Sequence, residues 1–401
     1  ALPILELLLS VRNKYLTVFF CLLAINIYSI KAQLKTKNIP IVDLSKNYPL
    51  EKLRLQDMAS VEYVPLETTD DILLSGNAAL SAVGEKYILV HEHQLGDIYL
   101  FDRHTGKLKF HFNHKGQSGM EYTWIKNGTI LDEKAEEIYV CSQYIQVYSL
   151  EGKYKRTLKI NCFGHNMSIL NYDDQSLLIY DDIVIEPGRE KETTKTPYKL
   201  ISKKDGSIIS TLNIYYPKRN ATMIAEHLEN NMWRPFSISY THNVYCGQDL
   251  MIMNVSSDTL FRLSPTNGLT PLLVRIPSVF DSEPRNIWTP FLTTDKILLF
   301  GTLPMDFKAK YWKYEFWKYE FETKKLTKFS IFDAEHETRI RNANWIPYAT
   351  PAIAKNMSAE FISAPAMLEA YRKKRLAGNG NEVAKNLLED DNQVVRILTF
   401  K

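Results

Sequence analysis

Cysteine is scarce in this chain, four in 401 residues, and no Cys-x-x-Cys pair occurs, so a zinc finger or a redox dithiol is not written into it. With only 16 glycines there is no Gly-rich phosphate loop, and no G-x-S-x-G nucleophile turn is present. These absences remove most support for nucleotide-binding and serine-hydrolase readings. Charge of one sign is lacking too: the net charge is +3, which gives no broad attraction to nucleic acid. No apolar run reaches the roughly 20 residues of a membrane span. The nearest, residues 15–30, carries Asn26, follows Arg12 and Lys14, and is succeeded by Ile30-Lys31-Ala32 and Gln33. That order predicts a secretory signal cleaved after Ala32, behind a lead-in at 1–10 with a second apolar patch. Removing Arg12, Lys14, Lys31 and Glu6 with it leaves a net charge of +1. The mature chain, 33–401, then keeps Cys141, Cys162 and Cys246. Buried thiols are the plainer reading, and a Cys141 to Cys162 disulfide the alternative.

What the chain does have is 45% hydrophobic and 12% aromatic residues, and a turn that returns five times between strand-like runs. FDRHTG ends at Gly106, YSLEG at Gly152, ISKKDG at Gly206, LSPTNG at Gly268 and YEFETK at Lys324. The gaps of 46, 54, 62 and 56 residues are the length of one four-stranded blade, so the prediction is all-β: a six-bladed β-propeller of four-stranded antiparallel blades. The first blade reads KYILVH, DIYLF and KLKFHF around the Gly106 turn. The second reads EIYV, IQVY and 154–160. The third spans 176–180 and 198–201, with a charged insertion at 186–196. The fourth spans 249–253, 259–263 and 272–276, and the fifth 296–300, 311–321 and 326–331. A sixth blade is expected to join VVRILTF at 394–400 to the strand-like 39–44, which closes the ring and removes two exposed edges. Segments 359–376 and 382–388 have helical spacing. Pro365 fits only a first turn, so the main helix is predicted from Ser363, in a helical insertion at about 356–390 packed on the rim.

With these residues in view, the chain resembles the six-bladed β-propeller proteins that Bacteroidetes export in many copies, distant relatives of NHL-repeat propellers. The matching pieces are VEYVPLETTDD at 61–71, FDRHTGKLKF, GQSGMEY at 116–122, YSLEGKYKRTLKI and the tail NLLEDDNQVVRILTFK. In that family the loop at 116–122 usually reads G-x-G-P-G-E-Y. Here Ser118, Gly119 and Met120 replace Gly-Pro-Gly, while Gly116, Glu121 and Tyr122 remain. The resemblance implies an exported propeller and transfers no substrate or catalytic residue.

The candidates for chemistry are few. His91 and His93 project to one side of a strand, as two metal ligands must, but no spaced third or fourth ligand follows. The plainer reading is a polar strand end leading into the turn at 94–96. Glu121 and Tyr122 sit in a Gly-flanked connection between units and offer a carboxylate and a phenol to a ligand. Otherwise Tyr122 packs between blades and Glu121 accepts backbone hydrogen bonds from its loop. The run YWKYEFWKYEF at 311–321 could expose Trp312 and Trp317 as a stacking platform, or form blade core; its phase change predicts a bulge between Phe316 and Trp317. Asp70 and Asp71 offer oxygens for Ca²⁺ or make a solvated turn.

The sequence therefore predicts a non-enzymatic propeller, exported to the periplasm or cell surface, that binds a peptide, glycan or envelope protein. It needs no cofactor, binds no nucleic acid and keeps no transmembrane span in the mature chain. The alternative is an NHL-like lactonase or lyase, with a divalent metal (Ca or Zn) held in the central channel by side chains from different blades.

Overall fold

The computed structural model describes residues 39–160, 167–181, 184–185, 196–216, 218–228, 232–237, 243–246, 248–309, 313–335, 337–339 and 356–401. The five repeated turns all join the third and fourth strands of a blade, and all turn through the left-handed region. φ is 68° at Gly106, 83° at Gly152, 80° at Gly206, 67° at Gly268 and 55° at Lys324. Glycine recurs because an L side chain there meets its own carbonyl. Lys324 occupies the same conformation at an exposed site.

Six blades result. The first is Ala78–Val83, Tyr87–Glu92, Asp97–Asp102 and Leu108–Asn113. The second is Thr129–Asp132, Glu137–Cys141, Ile145–Ser149 and Tyr154–Leu158. Met167–Asn171, Ser176–Asp181, Tyr198–Ser202 and Ile208–Thr211 form the third. Asn243–Cys246, Asp249–Met253, Thr259–Ser264 and Gly268–Ile276 form the fourth. Asn286–Thr293, Ile297–Pro304, Glu315–Glu320 and Leu326–Asp333 form the fifth. Within each, consecutive strands pair antiparallel. The sixth has three strands, Met357–Ile362, Val394–Phe400 and Ala59–Pro65.

Each blade is covered on both faces, and among the described residues six of the seven apolar cores lie one between every pair of neighbours around the ring, the seventh being a small cluster of Val255, Val279, Ile287 and Leu303. This explains runs such as EFWKYE, where alternation sends Phe316 to the side of blade six and Trp317 and Tyr319 to the side of blade four. The expected bulge between Phe316 and Trp317 is not there: Gly301 pairs with Phe316 and Phe300 with Trp317 in unbroken register. Two faces that both need aromatic residues give the same pattern without a phase change.

Ring closure differs from the sequence expectation in one partner. Val394–Phe400 pairs antiparallel with Ala59–Pro65, while Ile41–Asp43 runs parallel to the outer edge of blade four. Leu50–Arg54 then runs parallel to the outer edge of blade five. The N-terminal segment thus straps two blades before entering the sixth, hiding edges that would otherwise present unpaired backbone groups. On the sixth blade a side chain takes over part of the missing strand: Asn379 accepts from Tyr63 N at 2.8 Å and donates to Tyr63 O at 2.9 Å.

Residues 359–362 are also reassigned, from helix to the inner strand of blade six, since Ala359 and Ile397 are both needed in the core against blade one. The helix begins where predicted: Ser363 caps Ala364–Arg372, with Pro365 in the first turn. Ala364, Met367 and Ala370 enter the core between blades five and six. A second short helix, Gly380–Ala384, follows.

Between blades five and six, Arg396 is 1% exposed and lies in one cross-strand row with Glu360 and Tyr63. Its Nη1 donates to Asp333 Oδ2 at 2.8 Å and Glu335 Oε2 at 3.1 Å, and its Nε to Glu360 Oε1 at 2.7 Å. Gln56, from the N-terminal strap, donates to Asp333 Oδ1 at 2.8 Å. Burial pushes the Asp333 carboxyl upward, but the charge and hydrogen bonds of Arg396 outweigh it and hold the group below its ordinary value.

Arg396→Met strands the buried carboxylates of Asp333 and Glu335 in a dry interface and is expected to cost about 3–5 kcal/mol in urea denaturation. A cost under about 1 kcal/mol would show that the cluster does not hold the ring. Lys324→Gly is expected to raise stability by about 0.5–1 kcal/mol by relieving the left-handed residue. Gly106→Ala acts in the opposite direction, because its Cβ would lie 1.8 Å from Pro65 O; melting temperatures of the two variants should move in opposite senses.

Candidate functional site

Antiparallel alternation puts the first-to-second and third-to-fourth turns of every blade at one end of the propeller. The second-to-third loops and the connections between blades lie at the other. The first end is locked by polar contacts between blades. Arg103, in the first repeated turn, forms a two-pronged pair with Glu62 of blade six at 2.9 and 2.8 Å. Glu133 of blade two accepts from the backbone of Glu85, Lys86 and Tyr87 of blade one, and Lys203 of blade three donates to Asp132 of blade two at 2.6 Å. The second end carries the connections between blades one to five, and loops are where a fold has freedom to vary.

His91 and His93 stand at that second end, and the structure brings them together: His91 Nε2 is 3.3 Å from His93 Nδ1, with rings edge to face. Among the described residues no group of three or more His, Cys, Asp or Glu side chains is placed to hold a metal ion. The partners of His91 come instead from two residues that carry no motif. Ser81 Oγ lies 2.5 Å from His91 Nδ1 and accepts from Thr129 Oγ1 at 2.7 Å. Ser81 is the extra residue of a bulge in the inner strand of blade one, between Leu80 and Ala82, and Thr129 opens the inner strand of blade two. A bulge re-aims one side chain out of a regular ladder, here toward the next blade. Burial, and secondarily the neighbouring His93, lowers the His91 pKa to about 3, so its ring is neutral and serves as a hydrogen-bonding pin between blades.

Glu121 and Tyr122 are absorbed by their own loop. Tyr122 is fully buried, donates to Gly96 O at 2.7 Å and accepts from His114 N at 3.0 Å. Glu121 Oε2 accepts from Ser118 N at 2.8 Å, and that bond is the first cause of its lowered pKa. Gly116 permits this, since a Cβ there would lie 2.0 Å from Glu121 Oε2. Trp317 is fully buried and donates from Nε1 to Thr302 Oγ1 at 3.0 Å; Trp312 lies outside the described residues. Asp70 and Asp71 are exposed at a tight turn closed by Thr69 and Ile72, and Glu67 is committed to Leu108 N at 2.8 Å. Cys141 and Cys246 are buried; Cys162 lies outside the described residues.

Sequence reasoning missed a set of exposed side chains on the loops of blades one and two. Leu95 comes from the second-to-third loop of blade one, Met120 and Trp124 from the connection to blade two, and Tyr144 from that blade's own second-to-third loop. Met120 is 56% and Trp124 50% exposed. Apolar residues scattered through loops give no periodic signal, so only the fold shows that these four share one end. Their loops are held firmly: Tyr148 OH donates to Met120 O at 2.6 Å, and Lys126 N and Asn127 N both donate to Cys141 O. Lys126 Nζ rests 5.9 Å from the Trp124 ring centroid.

The His91 pKa is depressed in the fold, so its contribution is complete above the unfolded value of 6.5 and is lost as pH falls toward 3. Between those values the unfolded chain takes up a proton that the folded chain refuses. The melting temperature of the wild type should therefore fall more steeply than that of His91→Gln across this window; parallel curves would mean that His91 is not held neutral.

Comparison with known proteins follows the geometry. A crystal structure of a candidate exported protein from Bacteroides fragilis superposes with a TM-score of 0.54 at 12% identity, covering 90% of this chain and 99% of the other. A DUF4221 family member from Bacteroides vulgatus gives 0.44 at 11% identity, over 85% and 98%. The first likeness shows a shared fold. No curated protein matches the chain. Among the described residues no helix is long and apolar enough to cross a membrane. The profile of the family described as a domain of unknown function, DUF4934, matches residues 36–399, and the chain belongs to that family.

Proposed function

We propose that this protein is an exported, non-enzymatic binding propeller whose loops on blades one and two receive a segment of a partner polypeptide. The observation that carries the reading is the exposure of Leu95, Met120, Trp124 and Tyr144 on adjoining, hydrogen-bonded loops at the end of the propeller where blade one connects to blade two. Trp, Tyr and Met are the residues that protein interfaces favour, and Met adapts to varied partners. Leucine and methionine give a sugar ring no flat face to stack on, which favours a polypeptide over a glycan. Loops already fixed by Tyr148 and Cys141 lose little freedom on binding, and affinity benefits. Export is supported by the signal-like order of residues 12–33 and by the description of the Bacteroides fragilis relative.

A displayed library of random peptides, panned on the mature protein, should enrich sequences with apolar anchors. Their affinity should fall at least about tenfold on the double variant Met120→Ala with Trp124→Ala, the scale of an interface hot spot, with the melting temperature unchanged. Failure to enrich, or equal binding by the double variant, would sink the proposal. A saccharide-array signal lost in the same variant would replace the polypeptide by a glycan.

A further inference from the structure

The connection from blade six into the first strand of blade one, residues 66–77, is held by the residues that precede Val394–Phe400. Asn392, 3% exposed, accepts from Leu74 N at 2.7 Å and donates from Nδ2 to the carbonyls of Glu67 and Ile72, each at 2.8 Å. Its own N donates to Thr68 Oγ1 at 2.8 Å. That clamp sets Gln393 beside Ser75, and Gln393 Nε2 donates to Ser75 O at 3.5 Å. From blade one, Glu92 reaches the same residue: its Oε1 accepts from Ser75 N at 2.8 Å.

Both side chains enter one interface. Strand alternation puts Glu92 on the face of Ile88 and Val90, and Gln393 on that of Val395 and Ile397; these four apolar residues share the core between blades six and one. Each of the two polar side chains then ends in an oxygen that nothing satisfies. Glu92 is 2% exposed, and among the described residues neither its Oε2 nor Gln393 Oε1, both shut off from solvent, has a hydrogen-bond partner. Nor does Glu92 join an ion pair with any of them. Asp97, the next acid along the chain, is committed to His111 and Asn113. A buried carboxylate is retained where a partner of opposite charge or a metal balances it. Two acceptor oxygens with no donor call for a positive charge, and hard metal cations take carboxylate and amide oxygens. One carboxylate balances one charge. A divalent ion would leave a net charge in a dry interface, and a monovalent ion leaves none.

We infer that Glu92 and Gln393 bind a single alkali cation, Na⁺ or K⁺, which bridges blades six and one where the ring closes. Glu92 Oε2 and Gln393 Oε1 are its protein ligands, one from each blade, and Ser75 holds both side chains in place. The site stands apart from the apolar loops and does not rest on the polypeptide reading.

The test is the melting temperature of the mature protein in NaCl, KCl, CaCl₂ and choline chloride at one ionic strength, about 0.15 M, choline being too large to enter. An alkali chloride is expected to raise it by about 3 °C over choline chloride. Glu92→Gln keeps the shape, removes the charge and supplies an amide N–H. In choline chloride it should melt no lower than the wild type, and the advantage of the alkali salts should vanish. Gln393→Ala, at a half-buried position, should lose most of the rise while keeping the carboxylate, so the reading does not hang on one variant. Equal melting in all four chlorides would overturn the inference, the Glu92 carboxyl then holding a proton that it donates to Gln393. A rise kept by both variants would place the ion elsewhere, and a rise given by CaCl₂ alone would make the site divalent; either result overturns it as well.

Discussion

The ring has to close. No blade here is stable by itself, because each buries its two faces only against its neighbours, and the six apolar cores lie between blades. The antiparallel pairing of Ala59–Pro65 with Val394–Phe400 joins the two ends of the chain. The Arg396 cluster then ties that blade to the fifth through Asp333 and Glu335, and to the N-terminal strap through Gln56. Loop-closure entropy grows only slowly with length, so joining residues more than 300 positions apart is tolerable once a wide apolar face rewards it. The buried ions add specificity of register: a shift by one residue would swing Arg396 away from its carboxylates.

Closure makes the two ends of the propeller unequal. At the end of the five repeated turns, Glu133, Asp132, Glu62, Arg103 and Lys203 are spent on binding blade to blade. At the opposite end, on the loops of blades one and two, side chains not needed by the scaffold reach solvent. The polar residues that looked most like chemistry, His91, Glu121 and Tyr122, are partly or wholly used up in fixing those connections. What is left over on the loops of blades one and two is apolar.

Much of the fold was legible. The five turns could be read because a left-handed residue demands glycine at four of them, and the one lysine could be placed by spacing. Blade strands could be read from short apolar runs. Pro365 and Ser363 located the helix start because capping is a local matter. The partner of the closing strand was not legible: residues 39–44 and 59–65 alternate equally well, and pairing is decided by which of them meets the faces of blades five and one. The candidate sites were less legible still. His91 could be seen, but its partners Ser81 and Thr129 come from a bulge and a neighbouring blade, and carry no motif.

By itself, then, the sequence determined the blade repeat, the strand class and the turn geometry, because each of these rests on interactions within a few residues. Only the tertiary structure decided that Trp317 and Tyr122 are core, that Trp124 and Met120 are surface, and that Ser81 and Thr129 converge on His91. Burial and convergence depend on which blade lies against which, and that is set by the ring as a whole.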